Sequence, residues 1–265
     1  MLYYLVNVRE QSNEKMSSLA FLVILGLSAV SGYLPPSMSV CNRDDPDLDK
    51  CVLAVVEKMR AHIVSGDYGN GTKLPSLDPL YMERLDIDDG TNLQATFRNT
   101  VITGAKNFHV DKMHVNPESK TINLLITLDK VILKGKYNMN LRLGLLLIDG
   151  DGDSVLEITD VKLLLKMHYF FAENSSGRKT MQFHPIDVKM KYAGTAKFNM
   201  TNLLKGKPRL GQAANDAINE SPDVILEKTR QPVEQFFSKL FTTIANGLMN
   251  DAEEQEAFPL QSSFN

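Results

Sequence analysis

The sequence predicts an α+β fold in which a strongly curved antiparallel sheet wraps one long C-terminal helix, with a short helix near the N-terminus. Three observations predict it. Roughly residues 82–200 alternate apolar and polar positions in runs separated by short turn signals, which is the mark of neighbouring antiparallel strands. Helical periodicity is confined to the two ends of the chain, so there is no βαβ rhythm and no parallel sheet is expected. The strand segment is also too long and too apolar to stay flat and exposed. It must curl around something or pair with a second sheet, and the Phe-rich C-terminal helix is the obvious thing to wrap. With 265 residues, 43% of them hydrophobic, the chain is ample for one globular core.

Taken in order, the chain opens with an export signal. Leu19–Val30, "LAFLVILGLSAV", is an unbroken run of apolar and small residues. It is shorter than the ~20 apolar residues a spanning helix needs, and Ala29, Ser31 and Gly32 suit cleavage. Met16 is an alternative start. Residues 1–32 are therefore assigned to a signal peptide and residues 33–265 to a single domain. Cys41 and Cys51 are the only cysteines, and an even count in an exported chain implies a disulfide. Asn70, Asn174 and Asn199 begin sequons that agree with export; Asn219 also matches, but Pro222 follows it.

Val52, Val55, Val56, Met59 and Ile63 recur at helical spacing, with Asp47 or Asp49 as candidate caps and Gly66 at the end. Pro75 and Pro79 in "KLPSLDPL" impose an extended connector, which Leu74, Leu77 and Leu80 would anchor. The strand runs follow, with breaks expected at Asp89-Gly90, Gly104, "NPESK", "DGDGD" and "AENSSGRK". From Gly211 to about Met249 the period becomes helical, with Pro222 near the start and a kink or interruption expected at Pro232.

The motifs that suggest chemistry do not hold together. Asp149, Asp151 and Asp153 mimic the start of an EF-hand loop, but Ser154 stands where that loop needs Gly and Asp160 where it needs Glu. A tight solvated hairpin turn is the simpler reading. "GDS" at residues 152–154 resembles an esterase nucleophile block, but no suitable His follows and no strand-to-helix turn exposes the hydroxyl. His109 and His114 are five apart and would face opposite sides of a strand. His168 and His184 could pair across a turn, but no trio with metal spacing exists, so no metal and no cofactor is expected. A net charge of -3 excludes a strong basic field for nucleic acid. Twelve Met and twelve Phe with no Trp suit either an ordinary core or an adaptable apolar cavity.

The order of these segments resembles the takeout and haemolymph juvenile-hormone-binding family of secreted insect proteins. The likeness rests on the signal, the Cys41–Cys51 spacing followed by a helix, "KLPSLDPL" (Lys73–Leu80), "FNMTNLLKGKPRLG" (Phe198–Gly211) and "EAFPL" (Glu256–Leu260). With only the N-terminal cysteine pair, the chain looks closer to the takeout-like branch. The resemblance implies a TULIP-like fold, related to the lipid-binding modules of bactericidal permeability-increasing proteins. It implies an apolar tunnel inside the curved sheet, with the N-terminal helix at its mouth. It also implies a non-catalytic carrier, in haemolymph-like fluid, of a terpenoid such as juvenile hormone, a fatty acid or a similar small hydrophobic ligand. Hormone transport, chemosensation, feeding and daily rhythm are all open to such a carrier. No nucleic acid and no stable membrane insertion is expected. Val52, Val55, Val56 and Met59 would line the mouth and Phe236, Phe237 and Phe241 the inner wall. Tyr137 or Tyr169, each in an apolar strand, would orient a polar end of the ligand. The alternative is a secreted protein-interaction or signalling module with a solid core.

Overall fold

The helical spacing of Val52, Val55 and Met59 builds α1 (Leu48–Ser65) in a computed structural model that describes residues 34–35, 38–69, 71–173, 177–192 and 194–260. The signal predicted over residues 1–32 lies outside these, as do Asn70 and Asn174. Gly66 ends α1 in the left-handed region at φ 74°, its N–H donating to His62 O at 2.8 Å, as a glycine past a helix end does. Neither expected cap forms: Asp47 makes no side-chain capping bond. Asp49 instead accepts the Val115 N–H at 2.7 Å, and His114 Nδ1 lies 3.2 Å from it. It thereby ties α1 to the sheet. The Cys41–Cys51 disulfide forms, with Cα atoms 6.0 Å apart. The connector is held by Asp78, whose carboxylate accepts the N–H groups of Gly104 (2.9 Å) and Lys106 (2.8 Å).

The alternating segment becomes one eight-stranded sheet: β1 (Leu80–Asp88), β2 (Leu93–Thr103), β3 (His109–Asn116), β4 (Thr121–Leu143), β5 (Leu146–Glu173), β6 (Lys179–Phe183), β7 (Asp187–Tyr192) and β8 (Ala196–Met200). Every pairing is antiparallel. β4 and β5 form a long central hairpin, in register from Thr121↔His168 to Leu143↔Leu146. The outer edge of β4 carries β3 and then β2; that of β5 carries β8, β7 and β6 in turn. Asp129 and Asp160 drop out of the β4–β5 ladder, with Asp160 at φ 50°. Such a break bends strands and increases their twist.

The expected turn at "DGDGD" is corrected by this register. The chain reverses at Gly144-Leu145, and Asp149, Asp151 and Asp153 lie within β5 opposite Asn140, Asn138 and Lys136. The glycines serve close approach instead. A Cβ at Gly150 would stand 2.7 Å from Leu203 Cα, and one at Gly152 would stand 2.6 Å from Thr201 O. The chain leaving β8 crosses directly over them.

The long C-terminal helix is present as α3 (Pro222–Met249), but its expected start at Gly211 is corrected: a separate helix, α2 (Pro208–Glu220), precedes it, and a short α4 (Glu254–Ala257) follows. The break falls at Ser221, with φ -139° and ψ 58°. A residue before proline is pushed out of the helical region, while Pro222 itself is tolerated in the first turn of α3. α3 continues through Pro232 without interruption.

The two helices cover the outer strands through a polar ladder. Asn215 and Asn219 of α2 bond both backbone groups of Met200 and Phe198 on β8. On α3, Glu234 accepts the Met190 N–H at 2.8 Å and Thr242 that of Ile186 at 2.9 Å. Ser238 donates to Ile186 O at 2.6 Å, and Asn246 accepts the Phe183 N–H at 2.7 Å. These four residues recur every fourth position and so lie along one line of the helix. They satisfy strand edges that would otherwise be exposed or unpaired.

Candidate functional site

The sheet is packed differently along its length. Toward the β4–β5 hairpin end, Tyr137, Met139, Leu141, Ile148 and Leu203 are buried together with Ala214 and Ile218 of α2. Toward the opposite end the apolar faces leave a gap between them. α1, the inner faces of β4 and β5, and α3 enclose an apolar cavity of about 410 Å³. That is within the ~300–1,000 Å³ usual for ligand sites.

The cavity follows from the strand phases. In β4 the lining positions are Ile122, Leu124, Ile126 and Leu128, and then Val131 and Leu133. In β5 they are Leu156 and Ile158, and then Val161, Leu163, Leu165 and Met167. The parity switches where Asp129 and Asp160 leave the ladder, so the same face stays inward on both sides of the bend. Phe258 closes another part of the wall. It is held by Arg43, whose Nε donates to Phe258 O at 3.0 Å and whose N–H donates to Pro259 O at 2.9 Å.

Of the residues expected at the site, Val52, Val55, Val56 and Met59 of α1 and Phe237 and Phe241 of α3 line this cavity. Phe236 does not. It stands one position round the helix and meets Phe237 edge-on, centroids 5.3 Å apart. Both tyrosines are corrected as well. Tyr137 is in the solid half and donates its hydroxyl to Thr201 O at 2.6 Å; burial, aided by the Asp151 carboxylate, pushes its pKa up to about 12. Tyr169 packs in an aromatic cluster with Phe171, Phe183 and Phe258, and it is not part of the cavity wall.

Three wall residues carry polar side chains: Ser39, Tyr68 and Thr229. Ser39 Oγ accepts from Lys58 at 2.9 Å, and Thr229 donates to Leu226 O at 3.1 Å. Tyr68 is 1% exposed, and its hydroxyl has no hydrogen-bond partner among the described residues. Burial pushes its pKa up to about 12. Periodicity could not have found Tyr68, because it lies in the loop after α1, between Gly66 and Gly69. The only local signal is an aromatic residue in an otherwise polar turn.

The other candidate chemistry disperses. Ser154 donates to Gly135 O at 3.3 Å within the sheet. Asp149 pairs with Lys205 (2.6 Å) and Asp153 with Lys136 (2.5 Å). A register shift between Val110 and Lys112 turns both His109 and His114 outward, not to opposite faces. His184 meets His168 through the backbone, while its ring lies on Phe170 at 4.5 Å. Among the described residues no group of three or more His, Cys, Asp or Glu is placed to hold a metal ion. No described helix is long and apolar enough to cross a membrane. Asn199 is exposed on β8, whereas the Asn219 amide is committed to Phe198.

The fold is similar to that of Takeout 1 from Epiphyas postvittana, a crystal structure that matches with a TM-score of 0.68 at 24% identity, over 79% of this chain and 94% of that one. A lipopolysaccharide binding protein matches with a TM-score of 0.34 at 14% identity, over 61% of this chain and 32% of that one. No curated protein sequence matches the chain. The family model described as haemolymph juvenile hormone binding protein matches residues 20–259, nearly the whole chain, and the protein belongs to that family.

Proposed function

We propose that the protein is a secreted, non-catalytic carrier of a small hydrophobic ligand, of the terpenoid or fatty-acyl kind. One observation carries the reading: side chains from α1, both central strands and α3 line an apolar cavity of about 410 Å³. An apolar wall removes ligand surface from water at about 25 cal/mol per Å². The surplus over the cost of association sets the affinity. A solid-core interaction module has no use for such a void. The reading includes removal of residues 1–32 on export, an extracellular location that preserves the Cys41–Cys51 disulfide, and glycans at Asn70, Asn174 and Asn199. The Asn219 sequon is left unmodified, since its amide already serves β8.

Equilibrium titration of the delipidated protein with a hydrophobic fluorescent dye tests the proposal. Saturable dye binding, displaced by a long-chain terpenoid, is expected. A protein that leaves the dye unperturbed at millimolar concentration is not a carrier.

A further inference from the structure

The end of the molecule away from the cavity presents apolar side chains that the fold does not use. Leu145, in the reversal between β4 and β5, is fully exposed; Leu147 is 59% exposed, and Leu210, in the first turn of α2, is 53% exposed. Leu147 occupies the outward phase of β5 that Asp149, Asp151 and Asp153 continue, where alternation calls for a polar residue. Leu145 stands where a hairpin turn favours Asn, Asp or Gly. Leu210 lies at the same end. The chain leaving β8 crosses Gly150, and the Lys205 N–H donates to Asp149 O (3.4 Å) shortly before α2 begins. One exposed leucine needs no account, but a group of them at one end does.

Cations surround this group. Arg142, Lys207 and Arg209 are exposed, and among the described residues none of the three forms an ion pair. Arg142 is the ladder partner of Leu147. The acids stand further back. Asp88 and Asp149 are level with Asn140, and Asp151 with Asn138; Asp149 is already paired with Lys205 at 2.6 Å. We propose that this end docks the protein on the surface of an anionic lipid bilayer. The leucines enter the boundary between headgroups and acyl chains, and the three cations meet the lipid charges, the combination that holds peripheral proteins at such a surface. A hairpin tip and one helix turn offer far less than the ~800 Å² that each partner gives a stable protein interface, so a bilayer suits them better than a second protein. Docking at the solid end leaves the cavity end free. The inference stands apart from the carrier reading.

Vesicle flotation tests it with residues 34–265, which form a compact unit by themselves. The probes are vesicles of phosphatidylcholine alone and of phosphatidylcholine with about a third phosphatidylserine, at about 0.1 M salt. Wild type is expected to partition at least about tenfold more strongly onto the anionic vesicles, since each cation near such a surface contributes about fivefold. The triple variant Arg142→Gln, Lys207→Gln, Arg209→Gln is expected to lose that preference. The triple variant Leu145→Asn, Leu147→Thr, Leu210→Gln is expected to bind the anionic vesicles about tenfold more weakly than wild type. Both variants should keep the wild-type melting temperature and cavity dye binding, because all six side chains are exposed. If wild type floats with neither vesicle, or if neither variant weakens flotation, the docking assignment is wrong. If only the cation variant weakens it, the leucines do not insert and that half of the proposal falls. If wild type stays off the vesicles but sediments as an oligomer that the leucine variant dissolves, the surface is a protein interface instead. Dye binding in the same samples reports on the carrier reading separately.

Discussion

Asp89 shows how much one side chain can hold. In the turn between β1 and β2 its carboxylate accepts the N–H groups of Thr91 (2.9 Å), Asn92 (2.8 Å) and Leu93 (2.8 Å), and it also takes Lys228 of α3 as a close ion-pair partner. The Lys228 bond comes first, with the three N–H donors behind it; together they outweigh burial and hold the Asp89 carboxyl well below the usual carboxylate range. A depressed carboxylate stabilises the fold above its unfolded pKa, and that contribution is lost as pH falls through the folded value. Asp89→Asn is therefore expected to be about 1–3 kcal/mol less stable at pH 7. The gap to wild type should close as pH falls below about 4. Melting temperatures from pH 7 to pH 2 measure it, and parallel curves for the two proteins would contradict the assignment. The residue scale was only partly legible. "DDG" marks a turn in the sequence, but nothing local says that its acid reaches a lysine 139 positions away.

At the level of elements, the polar ladder of α2 and α3 decides how the sheet ends. Asn215 is buried and bonds both the N–H (3.0 Å) and the C=O (2.7 Å) of Met200. Asn215→Leu would suit the apolar surroundings, yet it strands two buried backbone groups. It is expected to cost about 2–4 kcal/mol, read from the urea midpoint. A change below about 0.5 kcal/mol would mean that β8 needs no cover from α2. The sequence displays the spacing of Glu234, Ser238, Thr242 and Asn246 but not its meaning. A polar residue every fourth position on a helix otherwise rich in Phe and Leu reads equally well as a solvated stripe. Only the facing strand edge turns it into a set of hydrogen-bond partners. The same holds for "DGDGD", where turn chemistry and close backbone approach use the same residues and the register across β4 chooses between them.

For the whole molecule, the question is whether the void is a purpose or a flaw. Leu163 points into it from the middle of β5. Leu163→Phe is expected to weaken dye binding about tenfold while the urea midpoint stays level or rises, because added atoms enter open space. If the interior were solid, the same change would cost about 1–3 kcal/mol through overpacking and would leave dye binding unaffected.

Composition and periodicity by themselves determined the element types, the antiparallel connectivity and the need for the sheet to curl around a C-terminal helix. Those features follow from local rules: strands alternate, helices repeat at three and four, and a long apolar sheet cannot remain flat in water. The valines of α1 and two of the three phenylalanines of α3 that the family resemblance put at the tunnel do line the cavity. The tertiary structure alone decided where the interior stays open, which tyrosine is part of the cavity wall, and where the C-terminal helical segment breaks. An apolar residue looks the same in sequence whether its neighbour touches it or stands across a cavity. The gap between them is set by the bends at Asp129 and Asp160 and by distant elements that no local pattern records.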